Sequence, residues 1–105
     1  MIITLALLRA RAGLSRDELV DYYENHHVPL ILSLAPAPAY YARNYLPEIG
    51  VAEFDVLTHM KFADEPARQA WLSLVLAEGS GVAEDEARFL DRSRTQSWTV
   101  EEHVS

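Results

Sequence analysis

Apolar residues change period along this chain, and the order of those changes limits its fold more than any single motif. The opening run Ile2-Ile3-Thr4-Leu5-Ala6-Leu7-Leu8-Arg9 is short and bounded by Gly13, which assigns it to a buried strand. Ser15-Arg16-Asp17-Glu18 then fits a capping box, with Ser15 accepting from the first turn and Glu18 reaching back. Leu19, Tyr22, Tyr23, His26 and Leu30 follow at helical spacing and predict a helix from about residue 15 to 28 or slightly beyond. Pro29 lacks a backbone donor and is expected to kink or end it.

Ala35-Pro36-Ala37-Pro38-Ala39 cannot continue a helix and reads as a loop. Residues 40–46 are aromatic-rich and form a second strand closed by Pro47. Residues 53–62 alternate. Phe54, Val56, Thr58, Met60 and Phe62 share one face, and Asp55, Leu57, His59 and Lys61 the other. Asp64-Glu65-Pro66 starts a helix whose stripe is Ala67, Ala70, Trp71, Leu74 and Val75, and Gly79-Ser80-Gly81 stops it. A short turn or helix over 84–90 precedes a last alternating strand over 96–104.

The resulting order, β-α-β-β-α-β, is the ferredoxin-like split arrangement of the α+β class: four antiparallel strands with both helices on one face. The other face must meet solvent, a ligand or another subunit. Because the first strand is apolar on both faces, a homodimer with facing sheets is the expected outcome. The length suits one domain, spanning 1–105.

A formal net charge of −7, with Lys and Arg scattered, disfavours nucleic acid and anionic membrane surfaces as partners. The chain has no cysteine, which excludes disulfides, thiolate nucleophiles and Cys-ligated metals. No basic segment precedes the apolar opening, and that run is too short to span a bilayer, so a cytoplasmic protein is expected.

The chemistry-bearing stretch is Tyr22-Tyr23-Glu24-Asn25-His26-His27-Val28-Pro29-Leu30. At about 100° per residue both histidines border the buried face of the helix, either as acid–base groups or as a core histidine beside an exposed one. Adjacent rings on a helix splay apart, unlike the i, i+4 pair that grips zinc. Gathering His27, His59 and Asp55 around a metal would demand a convergence that the spacing does not suggest, and no metal site is expected. Tyr22, Tyr23 and Tyr45 are either hydrogen-bonding anchors for a substrate or core residues. Tyr41, Arg43 and Tyr45 share one strand face, opposite Tyr40, Ala42 and Asn44. His59 and Asp55 lie four apart on one strand face, about 13 Å along it. Trp71, on a helix stripe, and Trp98 both read as core. Nucleophile-elbow, phosphate-cradle and nucleotide motifs are absent, so catalysis would rest on His, Tyr, Asp or Glu proton transfer without a cofactor.

Leu7-Leu8-Arg9-Ala10-Arg11-Ala12-Gly13-Leu14-Ser15-Arg16-Asp17-Glu18, the helix end His27-Val28-Pro29-Leu30, Asp55 with its strand, and Glu84-Asp85-Glu86-Ala87-Arg88-Phe89-Leu90-Asp91 together resemble EthD-domain proteins. That family belongs to the dimeric α+β barrel superfamily. The resemblance implies a ferredoxin-like homodimer with a pocket for a small, largely apolar or aromatic molecule, and it singles out His27 as the characteristic histidine before x-Pro-Leu. Where the family pattern carries an acidic residue, this chain has His59, which implies a second acid–base group or a diverged site.

On this resemblance the expected function is cofactor-independent acid–base chemistry on an aromatic, polyketide-like or lactone substrate: isomerisation, cyclisation, dehydration or decarboxylation. His27 would act with His26 or His59 assisting, and Tyr22, Tyr23, Asp55, Tyr45 and Trp71 would contact substrate. A cofactor-free monooxygenase of phenol or anthrone substrates and a non-catalytic dimer that holds a hydrophobic ligand are the alternatives.

Overall fold

A computed structural model describes residues Met1–Ser105. The elements run β1 (Ile2–Leu8), α1 (Arg16–Tyr22), a π-helical turn (Tyr23–His27), α2 (Val28–Leu34), β2 (Tyr40–Tyr45), β3 (Val56–Phe62), α3 (Glu65–Val75), α4 (Val82–Phe89) and β4 (Gln96–Val100). The strands form one antiparallel sheet in the order β2-β3-β1-β4, the ferredoxin-like topology. Both bonds of the Ser15–Glu18 capping box are made, and Asp64 caps α3 by accepting from the Ala67 N–H.

Pro29 neither ends nor breaks the first helix. The backbone passes through the π turn, where the Val28 N–H donates to the Tyr23 carbonyl five residues back, and resumes as α2. Pro29 therefore lies in the first turn of a restarted helix, where a missing donor costs little. The third and fourth strands are shorter than their alternating patterns, beginning at Val56 and ending at Val100. The short turn or helix expected over 84–90 is the two-turn α4, which begins two residues earlier, at Val82, and ends at Phe89.

Register separates the two faces of the sheet. Leu8 opposite Val56, Ala6 opposite Thr58 and Thr4 opposite Met60 face the helices. One core cluster joins Leu8, Val56 and Tyr23 to Leu19, Phe89 and Leu90; another joins Ile31 and Ala35 to Val75 and Val82. The opposite face carries Leu5, Leu7, Leu57, His59, Trp98 and Tyr40, and no helix covers it. Trp98 is 50% exposed and Tyr40 42%. No helix is long and apolar enough to cross a membrane.

The link between β2 and β3 is tied down by Asp55, whose carboxylate is buried. It accepts from the Ala10 N–H at 2.8 Å, the Gly50 N–H at 3.0 Å and Arg9 Nη1 at 3.2 Å. Gly50 sits at φ +85°, a left-handed conformation that suits glycine and brings its N–H to the carboxylate. Asp55→Ala would strand two backbone donors and remove the carboxylate partner of Arg9, leaving its guanidinium only the Ala52 carbonyl. Urea unfolding should show a loss of about 3 kcal/mol; a loss below about 0.5 kcal/mol would contradict this role.

Candidate functional site

The π turn builds the site. One added residue per turn brings positions five apart roughly one above the other, so Tyr22 and His27 project to the same side of the helix. Both reach one carboxylate on α4: Tyr22 Oη donates to Asp85 Oδ1 at 2.6 Å, and Asp85 Oδ2 pairs with His27 Nδ1 at 2.8 Å. The His27 ring is buried against Phe89 at 4.9 Å and edge-on to Tyr23 at 5.4 Å.

Burial alone would push Asp85 up. The hydrogen bonds from Tyr22 and His27, with the charge of nearby Arg88, outweigh it and hold the carboxyl below its ordinary value. An ionised carboxylate only accepts, so Nδ1 carries the proton. Nε2 makes no hydrogen bond within the protein. Burial, then the bond to Asp85, raises the Tyr22 phenol, so it stays a donor.

The other side of the π turn is anchored to the sheet. Tyr23 Oη shares a 2.6 Å hydrogen bond with Thr58 Oγ1, and burial keeps that phenol protonated. Arg43 grips Glu24 through Nε and Nη2 at 2.9 and 2.6 Å, and Tyr45 Oη donates to the same carboxylate at 2.6 Å. The Arg43 bond comes first among the causes that lower Glu24.

Between helices and sheet lies a largely apolar cavity of about 240 Å³. His27 and Tyr23 line it with Tyr41, Thr58, Ile31 and Met60, and Trp71, Arg68 and Glu86 complete the wall. Of the residues singled out from sequence, His27, Tyr23 and Trp71 meet here. Tyr22 stands behind His27 through Asp85, and Tyr45 belongs to the Glu24 clamp. His26 is exposed and stacks on the Tyr22 ring at 4.9 Å.

His59 does not face His27 across the cavity: it lies on the uncovered face of the sheet, tilted against the Tyr40 ring at 5.1 Å and 3.8 Å from Glu102. Asp55 points to backbone donors at the end of β1. The two do not share one strand face, because Asp55 precedes β3 rather than belonging to it. No three His, Asp or Glu side chains converge, so the conceivable set of His27, His59 and Asp55 is dispersed over three places. Asp85 escaped the sequence reading because it sits in an acidic run. The available signal was its spacing: Asp85 and Glu86 fall on the same helical face as Val82 and Phe89.

Fold and site together define a ferredoxin-like α+β protein in which a hydrogen-bonded Tyr22–Asp85–His27 chain ends at a buried histidine in the wall of an apolar cavity. The family model described as EthD domain matches residues 11–93, and the chain belongs to that family. No curated protein matches the sequence. Among solved structures, an ethyl tert-butyl ether D (EthD) family protein from Bacillus halodurans superposes with TM-score 0.68 at 18% identity, over 98% of this chain and 100% of that one. HapK from Hahella chejuensis gives 0.68 at 14%, over 100% and 95%. A dimeric ferredoxin-like protein of unknown function from Thermobifida fusca gives 0.60 at 12%, over 94% and 88%. At these identities the likeness is one of fold.

The hydrogen bonds to Asp85 have a measurable acid signature. A carboxyl lowered by folding contributes stability that is full above its ordinary value, 3.8, and lost as pH falls through the folded value. Asp85→Ala should cost about 2 kcal/mol at pH 7 in urea unfolding, and the gap to wild type should narrow below about pH 4. A gap of constant size would contradict an ionised Asp85.

Proposed function

We propose that the chain is a cofactor-independent enzyme that moves a proton on a small aromatic, polyketide-like or lactone substrate, with His27 as the acid–base residue. The observation that carries this is the His27–Asp85 pair opening onto an apolar cavity. Nε2 takes a proton from an activated C–H or O–H of the bound substrate. Asp85 holds the ring in the productive tautomer and stabilises the imidazolium that forms. Tyr22 orients Asp85, and the protonated Tyr23 is positioned to donate a hydrogen bond. Positioning in a water-poor cavity supplies much of the acceleration. Isomerisation, cyclisation, dehydration and decarboxylation are all accessible to such a site.

The working unit we propose is a homodimer of single-domain chains with sheets face to face. Leu5, Leu7, Leu57 and the half-exposed Trp98 form an apolar face that a second copy would cover, and the Thermobifida fusca neighbour is described as dimeric. Trp98→Glu should shift the sedimentation coefficient from dimer toward monomer; an unchanged dimer would contradict this interface.

Turnover of a panel of anthrones and lactones, with dissolved oxygen monitored, tests the chemistry. Product without oxygen uptake is expected. Stoichiometric oxygen uptake would make the protein a cofactor-free oxygenase using the same base, and tight binding with no turnover would make it a carrier. A folded His27→Ala variant should lose at least about 10²-fold in rate. Full activity in that variant would overturn the assignment.

A further inference from the structure

We infer that Tyr41 is a second catalytic residue of the cavity, its phenol donating a hydrogen bond to a carbonyl oxygen of the substrate. This rests on the proposed function in taking His27 as the base, and it adds where the negative charge goes. Tyr41 stands on the helix-facing side of β2, opposite Met60, and lines the cavity with His27, Tyr23 and Thr58. The other polar groups at this end are engaged. His27 Nδ1 is held by Asp85, and Tyr23 Oη shares its 2.6 Å bond with Thr58 Oγ1. Tyr41 Oη closes no hydrogen bond within the protein, yet it is not sealed off as Arg68 Nε and Trp71 Nε1 are. A hydroxyl that is accessible, unpaired and set in an apolar wall is free to take a ligand oxygen.

The ring is held where it stands. The Arg43 guanidinium lies 4.7 Å above its centre, Arg43 Nη1 donates to the Tyr41 carbonyl at 2.9 Å, and the same side chain grips Glu24 on the π turn that carries His27. Burial, above all, raises the Tyr41 phenol, so it remains a donor. The adjoining Tyr23 phenol is raised by its contact with Tyr41, whereas Tyr41 is lowered by it, which makes Tyr23 the side that offers its proton. In the step that follows, a C–H bond beside the carbonyl breaks and its proton goes to His27 Nε2. The bonding pair becomes the C=C bond of an enolate, the carbonyl π pair moves to oxygen, and the Tyr41 O–H stabilises that oxygen. Return of the proton from Nε2 to another carbon completes an isomerisation and restores the base. The substrate class is thus an aromatic or polyketide-like ketone or lactone with an acidic C–H next to its carbonyl.

Acetophenone labelled with ¹³C at its carbonyl tests this with the full chain. On binding, the carbonyl resonance should move downfield of its position in an apolar solvent, the signature of an accepted hydrogen bond, and Tyr41→Phe should abolish that shift. Cumene, similar in shape but without an acceptor, should bind wild type and Tyr41→Phe equally, which separates loss of the hydroxyl from loss of the cavity. For a ketone or lactone that is turned over, Tyr41→Phe should lower kcat about 10²-fold with KM little changed. A shift that survives in Tyr41→Phe, a wild-type carbonyl unmoved on binding, or no acetophenone binding at millimolar concentration would each overturn the inference. His27→Ala should keep the shift while losing turnover, so failure of the base and failure of the oxygen donor are separately readable.

Discussion

One carboxylate on a two-turn helix accepts a tyrosine and a histidine that stand five residues apart on another. Asp85 can do this because the backbone between Tyr22 and His27 is π-helical; in a regular α-helix the two side chains would diverge by about 140°. The same turn is held to the sheet by Glu24 with Arg43 and Tyr45, and by Tyr23 with Thr58. A π turn is less favourable than an α turn, and here it is clamped from two sides by charge-assisted and buried hydrogen bonds. Tyr23 and Thr58 also line the cavity beside His27, so the local irregularity and the candidate site meet there.

The fold was legible wherever a residue's effect is local. Ser15 and Glu18, and Asp64 with Pro66, start helices through bonds within one turn, and the alternation of Val56, Thr58, Met60 and Phe62 shows which side of β3 is covered. Pro29 was misleading for a physical reason: its effect depends on the hydrogen-bonding register of the preceding turn, which is set by distant partners. The site was legible only in part. His27 could be picked out by resemblance, but its partner lies 58 residues away in an acidic run that resembles a solvated face. Asp55 and His59 show the same gap. Side-chain alternation gave His59 a face but not its neighbours, and Asp55 is held by backbone donors that no sequence pattern announces.

The two faces of the sheet divide the chemistry. Toward the helices, small residues on β1 and β3 (Thr4, Ala6 and Thr58) leave room that the helices do not fill, and the cavity occupies it. On the far face the side chains are large and apolar, interrupted by His59 and Lys61 near Glu102. A cavity of about 240 Å³ limits its occupant to a small molecule. Its wall is largely apolar, and the His27 ring enters it near the π turn.

A crystal structure with a turned-over substrate analogue in place tests the central claim most directly. The account predicts the reacting atom of the ligand within about 3.5 Å of His27 Nε2, with the His27–Asp85 and Tyr22–Asp85 bonds intact. A ligand seated elsewhere, or one in the cavity with Nε2 turned away from it, would contradict the account.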